Sequence, residues 1–210
     1  MHRSDLQEED YRNLLSRIEP ILLERGLKST TMDTVAQALG MSKRTLYEIF
    51  DSKSEMLKET LDFMARQNHE FASKAFADSD NVIEALFAIF KYNRDRMGTV
   101  NVNFYRDMDR LYKERRDDYE KSRSQHQERM LRMFSLGVSQ GMFRPDVDYH
   151  VQSRVMSLQM EALKRVEELF PSDISLVRVF DSIIIGFLRS IASEKGMLIL
   201  DNLTRNLEES

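Results

Sequence analysis

The stretch MSKRTLYEIFDSK, residues 41–53, sets Lys43, Arg44 and Thr45 in a row, follows them with Tyr47 and returns a cation at Lys53. These side chains suit contact with a nucleic-acid duplex. Phosphate oxygens attract cations and helix N-termini, and base edges in the major groove need donors and acceptors that can reach them. Ser42 can cap a short helix over 43–50 whose Leu46, Ile49 and Phe50 face inward. If that helix enters a groove N-terminus first, Lys43, Arg44 and Thr45 lead. Arg44 can then pair two-pronged with a guanine edge. Tyr47 can donate to a phosphate oxygen while its ring packs on the helix. Lys53 falls in the first turn of the next helix, beside backbone amides that themselves attract anions. The bland alternative is a helical corner with solvated cations. Agreement among caps, turn, core positions and polar positions favours the duplex.

The elements around this stretch must hold it. In STTMDTVAQALG, Thr30 or Thr31 can cap a helix whose apolar positions are Met32, Val35, Ala36 and Leu39, and Gly40 ends it. Thr31 can also hold a backbone phosphate. Two helices of about eight residues joined by a short Gly-containing turn make a helix-turn-helix. Upstream, a helix is predicted from about Leu6 to Arg25, with Gly26 as its left-handed terminator. Pro20 predicts a kink there, or a split into two helices. Downstream, Ser52 and Glu55 read as a capping box for a long helix reaching about Ala77, with Leu57, Leu61, Met64 and Phe71 keeping its period.

Composition agrees with this reading. Seven Gly and three Pro in 210 residues leave few breakers and favour helices. The rest of the chain also reads as helices, over about 82–97, 103–112, 115–140, 148–169, 174–194 and 195–207. The absence of Cys excludes thiolate metal sites and thiol catalysis. His69 and His126 stand outside any ligand cluster, so no metal and no cofactor are expected. A net charge of −4 argues against a nonspecific nucleic-acid coat but leaves room for a locally positive docking face. No apolar leader opens the chain, and IIIGFL at 183–188 is far too short to span a membrane, so a cytoplasmic protein is expected.

The stretch LLERGLKSTTMDTVAQALGMSKRTLYEIFDSKSEML resembles the N-terminal domain of TetR-family transcriptional regulators. The matching pieces are Gly26, TTMDTVA, Leu39–Gly40, SKRTLY, Phe50 and SKSEML, within about residues 10–60. Ile49, where the family often has Tyr or His, and Pro20 are departures. The resemblance implies an all-α protein: a three-helix DNA-binding domain over 1–52 and a helical effector-binding and dimerisation domain over 53–210. It also implies DNA contacts at Thr31, Ser42, Lys43, Arg44, Thr45, Tyr47 and Lys53, with Tyr47 and Lys53 on phosphate.

Two C-terminal helices are apolar on more than one face. Leu176, Phe180, Ile183, Phe187 and Ile191 form one stripe of the later helix, and Val177, Ile184 and Leu188 a second. The resemblance implies that these helices pair with their copies in a dimer, through Val155, Leu158, Ala162, Phe180, Ile184, Phe187 and Leu188. A two-fold protein fits a palindromic operator. Met64, Phe104, Met108, Tyr112, Met133 and Met160 are candidates for an apolar effector pocket of the kind the family implies; plain core is the alternative for each. The leading expectation is a ligand-responsive, homodimeric repressor. Its rivals are a TetR-like DNA-bound protein serving division or chromosome organisation, and an all-helical enzyme. No paired carboxylates, nucleophile–His arrangement or phosphate loop supports the enzyme.

Overall fold

The computed structural model describes residues 6–98, 100–113, 116–171 and 173–208, with side chains described except at 102, 109–124, 126, 167 and 206–208. The described residues are helical and contain no strand. In chain order the helices are α1 (Glu8–Arg25), α2 (Met32–Leu39), α3 (Lys43–Ile49), α4 (Lys53–Asp78), α5 (Val82–Met97), α6 (Val102–Lys113), α7 (Arg116–Ser139), α8 (Tyr149–Ala162), α9 (Val166–Leu169), α10 (Leu176–Ile191) and α11 (Glu194–Glu208). The chain divides into two compact units, Met1–Glu70 with Thr99–Met108, and Phe71–Gly98 with Asp109–Ser210.

The first unit is built on α1, which buries Tyr11, Leu14, Leu15, Ile18 and Leu22 along one face. The helix runs unbroken through Pro20 and is not split. Gly26 ends it at φ 79°, ψ 158°, a region essentially open only to glycine and not the compact left-handed cap the sequence suggested. Thr30 is buried and gives its hydroxyl to the Gly26 carbonyl at 2.7 Å. In α4 the buried positions of this unit are Met56, Leu57, Thr60 and Phe63, while Leu61 and Met64 are half-buried. Thr60 belongs in the core because its hydroxyl is satisfied by the Met56 carbonyl, 2.8 Å away on the preceding turn.

The start of α6 also belongs to this unit. The Asn101 amide donates to the Leu23 carbonyl at 2.7 Å, the Lys28 amide donates to Asp107 Oδ2 at 2.7 Å, and Phe104 is buried.

In the second unit Asn81 caps α5, accepting from the Ile83 and Glu84 amides at 3.1 Å each. Phe134 of α7 is fully buried at a hub of rings, stacking on Tyr149 with centroids 4.9 Å apart and meeting Phe187 and Phe143 at 5.9 and 6.3 Å. Phe143 lies where a side chain at Gly137 would stand: a Cβ there would fall 2.0 Å from its ring. Gly137→Ala should therefore destabilise the protein by about 1–2 kcal/mol through overpacking, read as a lower midpoint in urea at unchanged slope. The 148–169 segment predicted as one helix breaks at Leu163 into a 3-10 turn before α9. Leu163 and Val166 are both buried, and their spacing of three puts them on one side of that tighter turn. No helix among the described residues is long and apolar enough to cross a membrane.

Candidate nucleic-acid interface

Local capping builds the presenting motif. Thr31 accepts from the Thr34 amide at 3.1 Å, and Thr34 Oγ1 accepts from the Thr31 amide at 2.9 Å. Gly40 closes α2 in the left-handed conformation, φ 68° and ψ 28°, with Met41 donating to the Ala36 carbonyl at 3.0 Å. Arg17 Nη2 covers the Leu39 carbonyl at the same end, 3.1 Å away. Ser42 then caps α3, accepting from the Thr45 amide at 3.0 Å. Leu46, Ile49 and Phe50 are buried, and Phe50 meets the Tyr11 ring at 6.0 Å between centroids. With its inner face fixed this way, α3 turns Lys43, Arg44 and Tyr47 to solvent and leaves Thr45 half-buried.

Two cations of this surface, Lys43 and Arg44, are held by carboxylates. Lys43 Nζ lies 2.8 Å from Asp33 Oδ1 on α2, both side chains more than half exposed. That hydrogen bond, and then the Asp33 charge, raise the Lys43 ammonium above its ordinary range, so it stays cationic. Arg44 Nε donates to Glu48 Oε1 at 3.1 Å one turn along α3. Lys53 is half-buried and donates to the Lys28 carbonyl at 2.9 Å. Burial lowers its pKa and the Asp107 charge acts the other way. Ser52 and Glu55 cap α4 as the sequence suggested, except that Glu55 reaches back to the Asp51 amide, 2.6 Å away.

Residues 14–60 match the family of bacterial regulatory proteins named after tetR. This match places residues 14–60 in the DNA-binding domain of TetR-family transcriptional regulators. It is 28% identical over 140 residues to the HTH-type transcriptional repressor KstR2 of Mycolicibacterium smegmatis, a match covering 64% of this chain and 68% of that protein. It is 32% identical over 81 residues to the HTH-type transcriptional regulator YhgD of Bacillus subtilis, covering 37% of this chain and 42% of that one. Among solved structures it shares the fold of the ketosteroid transcriptional regulator KstR2 of Mycobacterium tuberculosis, with TM-score 0.57, 22% identity, and 90% and 98% of the two chains covered. It also shares the fold of a Saccharomonospora viridis transcriptional regulator solved in complex with choline, with TM-score 0.68, 18% identity, and 90% and 100% covered.

The pocket and interface candidates are scattered. Of the pocket candidates, half-buried Met64, buried Phe104 and half-buried Met108 belong to the first unit. Half-buried Met133 and Met160 belong to the second, and the side chain of Tyr112 lies outside the described residues. An open cleft of about 1010 Å³ in the second unit is lined instead by Arg94, Asp181, Ile185, Gly186, Arg189 and Arg205. Of the dimer candidates, Val155 and Leu158 are exposed and Ala162 and Ile184 half-buried, while Phe180, Phe187 and Leu188 are buried within the protomer. Sequence reasoning missed Asp33, Glu48 and Asp107 as partners of the cationic surface. Glu48 carried a signal, since it stands four residues after Arg44. Asp33 and Asp107 did not, because their neighbours are set by tertiary structure.

Proposed function

We propose that the protein is a ligand-responsive repressor that binds a palindromic operator as a homodimer in the cytoplasm and catalyses no reaction. DNA contacts come from Thr31, Ser42, Lys43, Arg44, Thr45, Tyr47 and Lys53 within 1–52, and effector binding and pairing from 53–210. One observation carries the reading. The outer side of α3 opens Lys43, Arg44 and Tyr47 to solvent while Leu46 and Ile49 are buried on its inner side, so the helix backbone is anchored with its N-terminal residues outward. Two such helices about 34–36 Å apart fit successive major grooves. An effector lowers DNA affinity only by binding the two states of the dimer unequally.

Met64, Phe104, Met108, Tyr112, Met133 and Met160 are the effector-pocket candidates, and an apolar ligand suits them. The ketosteroid named for the tuberculosis relative and the choline named for the S. viridis structure make two contrasting probes. A thermal shift with the ketosteroid and none with choline would support an apolar pocket; the reverse would overturn it. The DNA-binding reading is tested by retention of the protein's own upstream fragment at rising salt. Salt-sensitive, competitor-resistant retention is expected, and its absence would sink the reading. Lys53→Ala should weaken every duplex alike and flatten the salt slope by about one unit. An unchanged slope would remove Lys53 from the phosphate contacts and leave it to its Lys28 carbonyl.

A further inference from the structure

Arg44 and Glu48 stand one turn apart on α3, and their environments differ sharply. The Arg44 side chain is 90% exposed, while that of Glu48 is 26% exposed. The contact between them uses a particular atom: Arg44 donates through Nε to Glu48 Oε1 at 3.1 Å. A guanidinium carries five N–H groups, one on Nε and four on the two terminal nitrogens. Held at Nε, Arg44 keeps both terminal nitrogens for a partner in front of it, and they make no hydrogen bond among the described residues. Guanine offers two major-groove acceptors, O6 and N7, that such a fork can meet.

We infer that Glu48 is a specificity-determining positioning residue: it grips Arg44 by Nε and presents the guanidinium end-on to a guanine. This rests on the reading of α3 as the DNA-reading helix. Two physical effects follow. An exposed arginine has many rotamers, and ordering it opposes binding; a half-buried glutamate side chain that limits those rotamers beforehand reduces that cost. Glu48 also balances the Arg44 charge and repels phosphate, which makes Arg44 a weaker ligand for arbitrary backbone while leaving its base-reading face intact. Both effects raise the ratio of specific to nonspecific binding. Lys43 differs in kind, because its partner Asp33 is as exposed as the lysine and restricts it little.

The test uses the full chain and four variants: Arg44→Ala, Glu48→Ala, Glu48→Gln and the double alanine. Selection from a random duplex pool, followed by sequencing, gives each protein's base preferences. Titration on the selected duplex, on its single-base variants and on a scrambled duplex gives their sizes. Arg44→Ala should lose the preference for one guanine in each half-site. Glu48→Ala should weaken that same preference about tenfold and bind scrambled duplex more tightly than the parent. Glu48→Gln, which keeps an oxygen for Nε, should retain most of the preference yet share the tighter scrambled binding. In the double variant, loss of Glu48 should change the preference no further. Thermal melts check that all four fold.

An unchanged guanine preference in Glu48→Ala would overturn the inference and reduce the contact to a solvated pair on a helix surface. A change at a different base would overturn it too, and would mean that Glu48 reads DNA itself, as a carboxylate can by accepting from cytosine. An Arg44→Ala variant with an unaltered preference would bring down the base-reading role of Arg44 along with the inference. Loss of the guanine preference in Arg44→Ala alone would defeat the inference and leave that role standing.

Discussion

Arg44→Ala is expected to cost about 1–3 kcal/mol of discrimination between duplexes that differ at one base pair, and to change affinity for an unrelated duplex far less. The side chain projects from the second residue of α3 and packs on nothing in the core, so the variant should melt like the parent. Its loss therefore reads out as recognition and not as folding. The size follows from two hydrogen bonds to one base edge, which a wrong base cannot match without leaving a donor or acceptor unpaired. Lys53, proposed as a phosphate contact, is the internal control, because such a contact is blind to sequence. If Arg44→Ala weakened all duplexes equally, Arg44 would belong with the backbone contacts, and specificity would have to come from Thr45, Tyr47 or the shape of the duplex.

The motif was legible because its determinants are local. Thr31, Gly40, Ser42 and the Ser52–Glu55 pair each act within a turn of chain, and each caps or closes a helix in the structure as its residue type requires. What escaped the sequence depends on distant partners. The ψ of Gly26 and the surroundings of Lys53 follow from the start of α6 docking beside residues 23–28, where Asp107 and Asn101 take backbone partners. Thr60, a polar residue outside the apolar period read for α4, is buried because its hydroxyl is satisfied by the Met56 carbonyl. Phe104 illustrates the difficulty with a pocket: an aromatic residue among methionines reads alike as effector wall or as core, and here it is buried in the first unit.

On the proposed dimer, Leu158→Glu should give a folded monomer at concentrations where the parent is paired. Val151, Val155 and Leu158 lie on one face of α8 and are 53%, 39% and 70% exposed in the single chain, whereas Ser153 is the buried residue of that helix. Burying a leucine contributes about 1.5–3 kcal/mol, and two-fold symmetry makes each substitution act twice. A glutamate in its place would also strand a charge in a desolvated seam. The position is chosen for its exposure. Phe180, Phe187 and Leu188 are buried within the protomer, so charging them would unfold the chain before it tested any interface, and half-buried Ile184 would mix the two effects. Sedimentation should report the loss of pairing while the far-ultraviolet dichroism stays as in the parent. A monomer reaches one half-site, so palindrome affinity should collapse toward that of a half-site. The Arg44-dependent base preference within the half-site should survive, because α3 is capped and packed within the first unit. Unchanged sedimentation would move the interface off this face of α8.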